Sequence, residues 1–201
     1  MAVGRPSARR NTMTKRIAAL ISTIGHPFLL LPVVLSLLTL RQGGLEGAWP
    51  TLLAIWGGLL LMTLYLVYRK RKGLISNWDV SVRSQRSKSI YQPILILIAV
   101  AAALLYYFKQ PFVGQTLVFG LFLAVCFAIN SRLKISQHTA IAAYLSLLLI
   151  PLKLWAGLIL LAFTPFIAWS RVVLGRHLPM EVTAGGVVGA AFGALQWWLF
   201  G

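Results

Sequence analysis

Apolar residues run nearly unbroken over 17–40, 50–68, 93–108, 111–129, 139–151, 154–169 and 182–200, with short polar breaks between them. A helix crossing a hydrocarbon layer needs about 17–25 mostly apolar residues. Some of the runs are short, so the pattern predicts an all-α, polytopic membrane helix bundle of six to seven transmembrane helices. Pro and Gly mark most breaks, as in "RQGGLEGAWP" at 41–50, "KQP" at 109–111 and "PLK" at 151–153. Read as one helix, 139–169 would run about 46 Å at 1.5 Å per residue and carry Lys153 near its middle, where insertion costs about 2.5–3.5 kcal/mol. A hairpin at Pro151 and Lys153 is expected instead.

That reading gives a basic tail, residues 1–16, and one transmembrane domain, 17–201. The run after the tail is long and lacks a small-residue cleavage pattern, so a retained first helix is expected rather than a secretory signal. Seven passes place the tail and the loops 69–92, 130–138 and 170–181 on one side. That side holds 16 of the 19 Lys and Arg residues, and the other holds Arg41, Lys109 and Lys153. With the three candidate site loops set aside except for "RKRK" at 69–72, the balance is still 9 against 3. Basic short loops stay cytoplasmic, so the tail and these loops are expected on the cytoplasmic face of a bacterial inner membrane. The net charge of +16 thus reads as orientation plus attraction to anionic headgroups. No nucleic-acid partner is implied, because no polar face interleaved with aromatics is present.

Composition narrows the chemistry. The acids are Glu46, Asp79 and Glu181 alone, and the only cysteine is Cys126 inside an apolar run. Magnesium-dependent lipid enzymes need several carboxylates, and one cysteine supports neither a disulfide framework nor a thiolate metal site. Metal-independent chemistry with no cofactor is expected. Gly185, Gly189 and Gly193, four residues apart in the last run, make a smooth stripe suited to close helix packing.

The ionisable residues that remain gather in the one-sided loops, where such groups usually serve a cavity. "SRLKISQH" at 131–138 and "SRVVLGRH" at 170–177 share Ser-Arg, five residues, His. Only His177 has a carboxylate four residues on, Glu181, and side chains at i and i+4 of a helix are neighbours. Glu181 can then fix the imidazole tautomer and make His177 a nucleophile. His138 lacks that partner and suits proton donation to a leaving group. Arginine forks match phosphate oxygens, so Arg83, Arg86 and Arg171, with Lys134 and the Ser136 hydroxyl, can cradle a phosphoryl group. Asp79 can pair with Arg83 one turn later and hold it. Each arginine alone also reads as a positive-inside anchor, and Arg176 is assigned only that role. His26, before Pro27, reads as packing or a helix-end hydrogen bond.

These residues resemble the type 2 phosphatidic acid phosphatase superfamily of metal-independent lipid phosphatases. Its third signature, Ser-Arg, five residues, His, three residues, Asp, matches residues 170–181 with Glu181 in place of Asp. Its second, Pro-Ser-Gly-His, appears as "ISQH" at 135–138. Its first, Lys, six residues, Arg-Pro, is absent. Instead "DVSVRSQR" at 79–86 and "ISTIGHPF" at 21–28 look like a divergent bacterial branch. The resemblance implies a phosphohistidine on His177, proton donation by His138, orientation by Glu181, and phosphate binding by Arg171, Ser136 and the long-loop arginines. The implied substrate is a lipid phosphate or diphosphate, of the phosphatidylglycerophosphate, phosphatidic acid or polyprenyl diphosphate class. A lipid phosphotransferase with the same chemistry, or a non-catalytic protein that binds or moves an anionic lipid, is the alternative.

Overall fold

The computed structural model describes residues 8–76, 80 and 82–200. Among them the chain is helical with no strands: α1 (Ala8–Ile24), α2 (Pro27–Arg71), α3 (Arg83–Arg86), α4 (Gln92–Tyr107), α5 (Val113–Asn130), α6 (Gln137–Leu149), α7 (Leu154–Val173) and α8 (Pro179–Phe200). Six stretches are long and apolar enough to cross a membrane: Thr12–Arg41, Glu46–Arg71, Ser84–Tyr107, Val113–Asn130, Leu154–Val173 and Pro179–Phe200. The shorter apolar α6 lies between the fourth and fifth of them, in keeping with a bundle of six to seven helices. The protein is a multi-pass membrane protein.

α2 doubles back at Gly44, whose φ of 59° is a conformation glycine adopts without a Cβ penalty. The two arms lie side by side, and the Trp56 indole N–H donates to Ser36 Oγ at 3.0 Å. The hairpin at Pro151 and Lys153 is present: α6 ends at Leu149, α7 starts at Leu154, and Lys153 is exposed between them.

Three boundaries differ from the sequence reading, each for a local reason. The first apolar run is broken at Gly25–His26, because Pro27 biases the residue before it out of the α region; His26 has φ −69° and ψ 131°. The long loop is partly helical from Arg83, and a π turn over Ser87–Tyr91 leads into α4. Pro93 has no N–H for the Ser89 carbonyl, and the Gln92 N–H bonds instead to the Ser87 carbonyl, five residues back. α7 runs on through Ser170 and Arg171, and α8 starts at Pro179, so charged ends first read as loop belong to helices.

A helix too short to be counted among the six long spans is the most buried. α6 packs at the centre, with His138 through Ser146 all buried. α8 lies directly on it: a Cβ at Gly189 would sit 1.9 Å from the Ala140 carbonyl oxygen, and one at Gly185 2.7 Å from that of Ser136. The glycine stripe therefore lets the α8 backbone touch the α6 backbone and brings the N-terminal ends of both helices together.

Candidate functional site

Helix ends build the site. α7 closes with a Schellman turn: the Arg176 N–H bonds to the Arg171 carbonyl at 2.9 Å and the Gly175 N–H to the Val172 carbonyl at 2.9 Å. Gly175 takes φ 65° there. This turn delivers His177 to the start of α8, where Pro179 occupies the first helical position, as its missing N–H and fixed φ favour.

Glu181 sits in the first turn of α8. Its Oε2 accepts the Leu178 N–H at 3.0 Å and contacts His177 Nδ1 at 2.9 Å. The first bond is half of a capping box. The expected His177–Glu181 contact is present, but it does not arise from neighbouring turns of one helix: His177 precedes the helix and is reached by the carboxylate folding back over the cap. His177 Nδ1 also lies 3.1 Å from the Lys134 carbonyl. Both partners are acceptors, so Nδ1 carries the proton and the neutral ring keeps its lone pair on Nε2.

Three cations surround this pair. Burial first, then Arg86, Arg171 and Lys134, pushes the His177 pKa from 6.5 down to about 3. Arg86 is 4% and Arg171 3% exposed. Arg86 Nη1 donates to the Ile135 carbonyl at 2.8 Å, Arg171 Nη1 to Ser22 Oγ at 2.7 Å, and Lys134 Nζ to the Arg176 carbonyl at 2.6 Å. Among the described residues the acids are Glu46 and Glu181, and Glu181 lies beside these cations through its contact with His177. Two buried guanidiniums beside a histidine can hold an anion.

His138, 6% exposed, opens α6 and lies within electrostatic reach of Arg171, His26, His177 and Arg86. Among the described residues its Nε2 has no hydrogen-bond partner. Ser136 caps α6, its Oγ accepting from the Thr139 hydroxyl at 3.2 Å, and is fully buried. Gln137, at the position of the signature's glycine, donates to the Tyr91 hydroxyl at 2.7 Å. Arg83 begins α3, but its side chain lies outside the described residues, as does Asp79.

Sequence reasoning missed Ser22, and read His26 only as a packing or helix-end residue. His26 does cap α2, its Nδ1 accepting the Phe28 N–H at 3.2 Å. Its ring also stands against that of His138, centroids 4.9 Å apart at 81°. The available signals were the Gly-His-Pro break inside an apolar run and the likeness of "ISTIGHPF" at 21–28 to the divergent branch.

A cavity of about 100 Å³ is walled at its polar end by His26, Arg86, Tyr91, Gln137 and His138. It shares Pro27, Phe28, Leu31, Ile94 and Phe119 with an apolar groove of about 220 Å³ between the two arms of α2, α4 and α5. From Phe28 to Thr39 the groove follows α2 for about 16 Å. His177 lies outside the wall of the smaller cavity. Comparison of the chain with protein-family models, curated proteins and solved structures finds no match.

The depressed pKa of His177 has a testable sign. The unfolded ring binds a proton near pH 6.5 and the folded ring only near 3, so stability is full above about pH 6.5 and falls as the pH drops toward 3. Melting in detergent between about pH 7.5 and 4.5 should show a smaller loss for His177→Gln than for the parent; equal losses would contradict the assignment.

Proposed function

We propose that this protein is a metal-independent phosphatase of a lipid phosphate or diphosphate that works through a phosphohistidine on His177. The carrying observation is the buried His177–Glu181 pair among Arg86, Arg171 and Lys134, with His138 nearby, its Nε2 without a partner among the described residues. The resemblance of the loop motifs to the type 2 phosphatidic acid phosphatase superfamily supports the same reading.

In the proposed reaction the His177 Nε2 lone pair attacks phosphorus. An N–P bond forms, the bond from phosphorus to the lipid oxygen breaks, and His138 gives that oxygen its proton. Glu181 holds the proton on Nδ1 and stabilises the positive charge that develops on the ring. Arg86 and Arg171 spread over the phosphoryl oxygens, since positioning and charge neutralisation dominate phosphoryl transfer. Water then attacks phosphorus, His138 takes a proton from it, the N–P bond breaks and phosphate leaves. Lys and Arg distribution orients this chemistry toward the cytoplasm of a bacterial cell.

The apolar groove supports a lipid rather than a soluble substrate, because it leads directly from the polar cavity between helices. Purified protein in EDTA is expected to release phosphate from at least one of phosphatidylglycerophosphate, phosphatidic acid and a polyprenyl diphosphate. No release from any of them, in any detergent or vesicle, sinks the reading. Filling the groove with Gly58→Phe should raise KM for the long-chain substrate about tenfold or more, the loss of a few buried methylenes, while leaving kcat/KM for a short-chain phosphate nearly unchanged. Equal effects on both would show that the groove does not hold the chain.

A further inference from the structure

We infer that His26 is a positioning residue for His138, supplied by the α1–α2 junction rather than by any of the three loops that carry the motifs. This rests on the proposed reaction, in which His138 handles the proton.

The His26 ring is held from several sides. Its Nδ1 accepts the Phe28 N–H at 3.2 Å, so a neutral ring carries its proton on Nε2. The Phe28 ring meets it edge-on at 5.4 Å and 67°, and Pro27 fixes the backbone that follows. A ring locked in this way is a rigid wall. The His138 ring stands nearly perpendicular to it at 4.9 Å, and both line the cavity that contains Arg86. His138 is only the second residue of α6, where a histidine has free χ angles unless neighbours restrict them. His26 restricts them, and His138 Nε2, without a partner among the described residues, is left for the substrate.

The same junction holds a second member of the site. Ser22, one turn earlier, accepts from Arg171 Nη1 at 2.7 Å. Gly25 brings this segment close to α7, since a Cβ there would meet the Ile167 side chain at 2.7 Å. One short break thus contacts both the arginine at the end of α7 and the histidine at the start of α6.

Two substitutions separate the wall from the cap. Asparagine is a good N-cap, so His26→Asn keeps the acceptor for Phe28 and removes the ring. His26→Phe keeps a ring and removes the acceptor. For His26→Asn the expected result is an unchanged melting temperature and KM, kcat lower by about 10²-fold, the size of a misplaced catalytic group, and shifted His138 ring nitrogen and proton resonances. For His26→Phe, melting falls while kcat of the folded protein stays within about tenfold of the parent. Parental kcat and an unshifted His138 spectrum in His26→Asn would overturn the inference, as would kcat losses that merely follow melting. Absence of phosphatase activity in the parent overturns the phosphatase reading instead, and the His138 spectrum then still decides whether His26 holds that ring.

Discussion

His177→Ala is expected to reduce phosphate release by on the order of 10⁴-fold, the scale on which removal of a covalent nucleophile acts. The substitution also takes away a donor from Glu181, a carboxylate 8% exposed that would keep only the Leu178 N–H at 3.0 Å. Buried acceptors stripped of a partner destabilise a fold, so His177→Asn belongs beside it. Asparagine offers Glu181 an N–H and cannot carry the phosphoryl group through an imidazole. The two variants should lose activity equally while His177→Asn melts closer to the parent. Phosphate release assayed against thermal stability checks both, and retained turnover in either variant contradicts a nucleophilic role.

Gly189→Ala is expected to have the largest effect of any single added methyl. A Cβ there would lie 1.9 Å from the Ala140 carbonyl oxygen and 2.8 Å from its carbon, both backbone atoms that a rotamer change cannot move. Overpacking of this kind costs about 1–3 kcal/mol and sometimes more. The consequence reaches the site, because α8 carries Glu181 in its first turn and α6 starts beside it. The Ser136 N–H bonds to the Glu181 carbonyl at 3.1 Å, and forcing the helices apart opens that bond and separates His138 from His177. Gly186→Ala is the matched control: its Cβ would meet only the Thr139 methyl, at an ordinary 3.6 Å. Thermal unfolding in detergent and phosphate release should both fall for Gly189→Ala and stay near the parent for Gly186→Ala.

Hydropathy alone made the passes legible, including the turn at Lys153, because a cation in mid-membrane is costly wherever the chain is read. The glycine stripe was legible for a similar reason, since three glycines on one face leave little but close packing to explain them. Helix ends were less legible. Arg83 to Tyr91 is polar enough to resemble a loop, and only the way its residues meet the other helix ends shows why it is helical. His177 and Glu181 were paired by a spacing rule for residues within a helix; the contact forms, but through the cap of a helix that begins between them. Ser22 and His26 carry no spacing relation to the loop motifs. Their partners, Arg171 and His138, are more than a hundred residues away, and only the fold makes them neighbours.

The central claim is that phosphorus is transferred to His177 before it reaches water. Rapid mixing of the protein with a radiolabelled lipid phosphate, followed by quenching in alkali, tests it directly, because an N–P bond to histidine survives base and is lost in acid. Base-stable, acid-labile label on the peptide containing His177, forming and decaying at rates that support turnover, is the result expected. An active protein with no such label, or with label on His138 instead, would contradict the account.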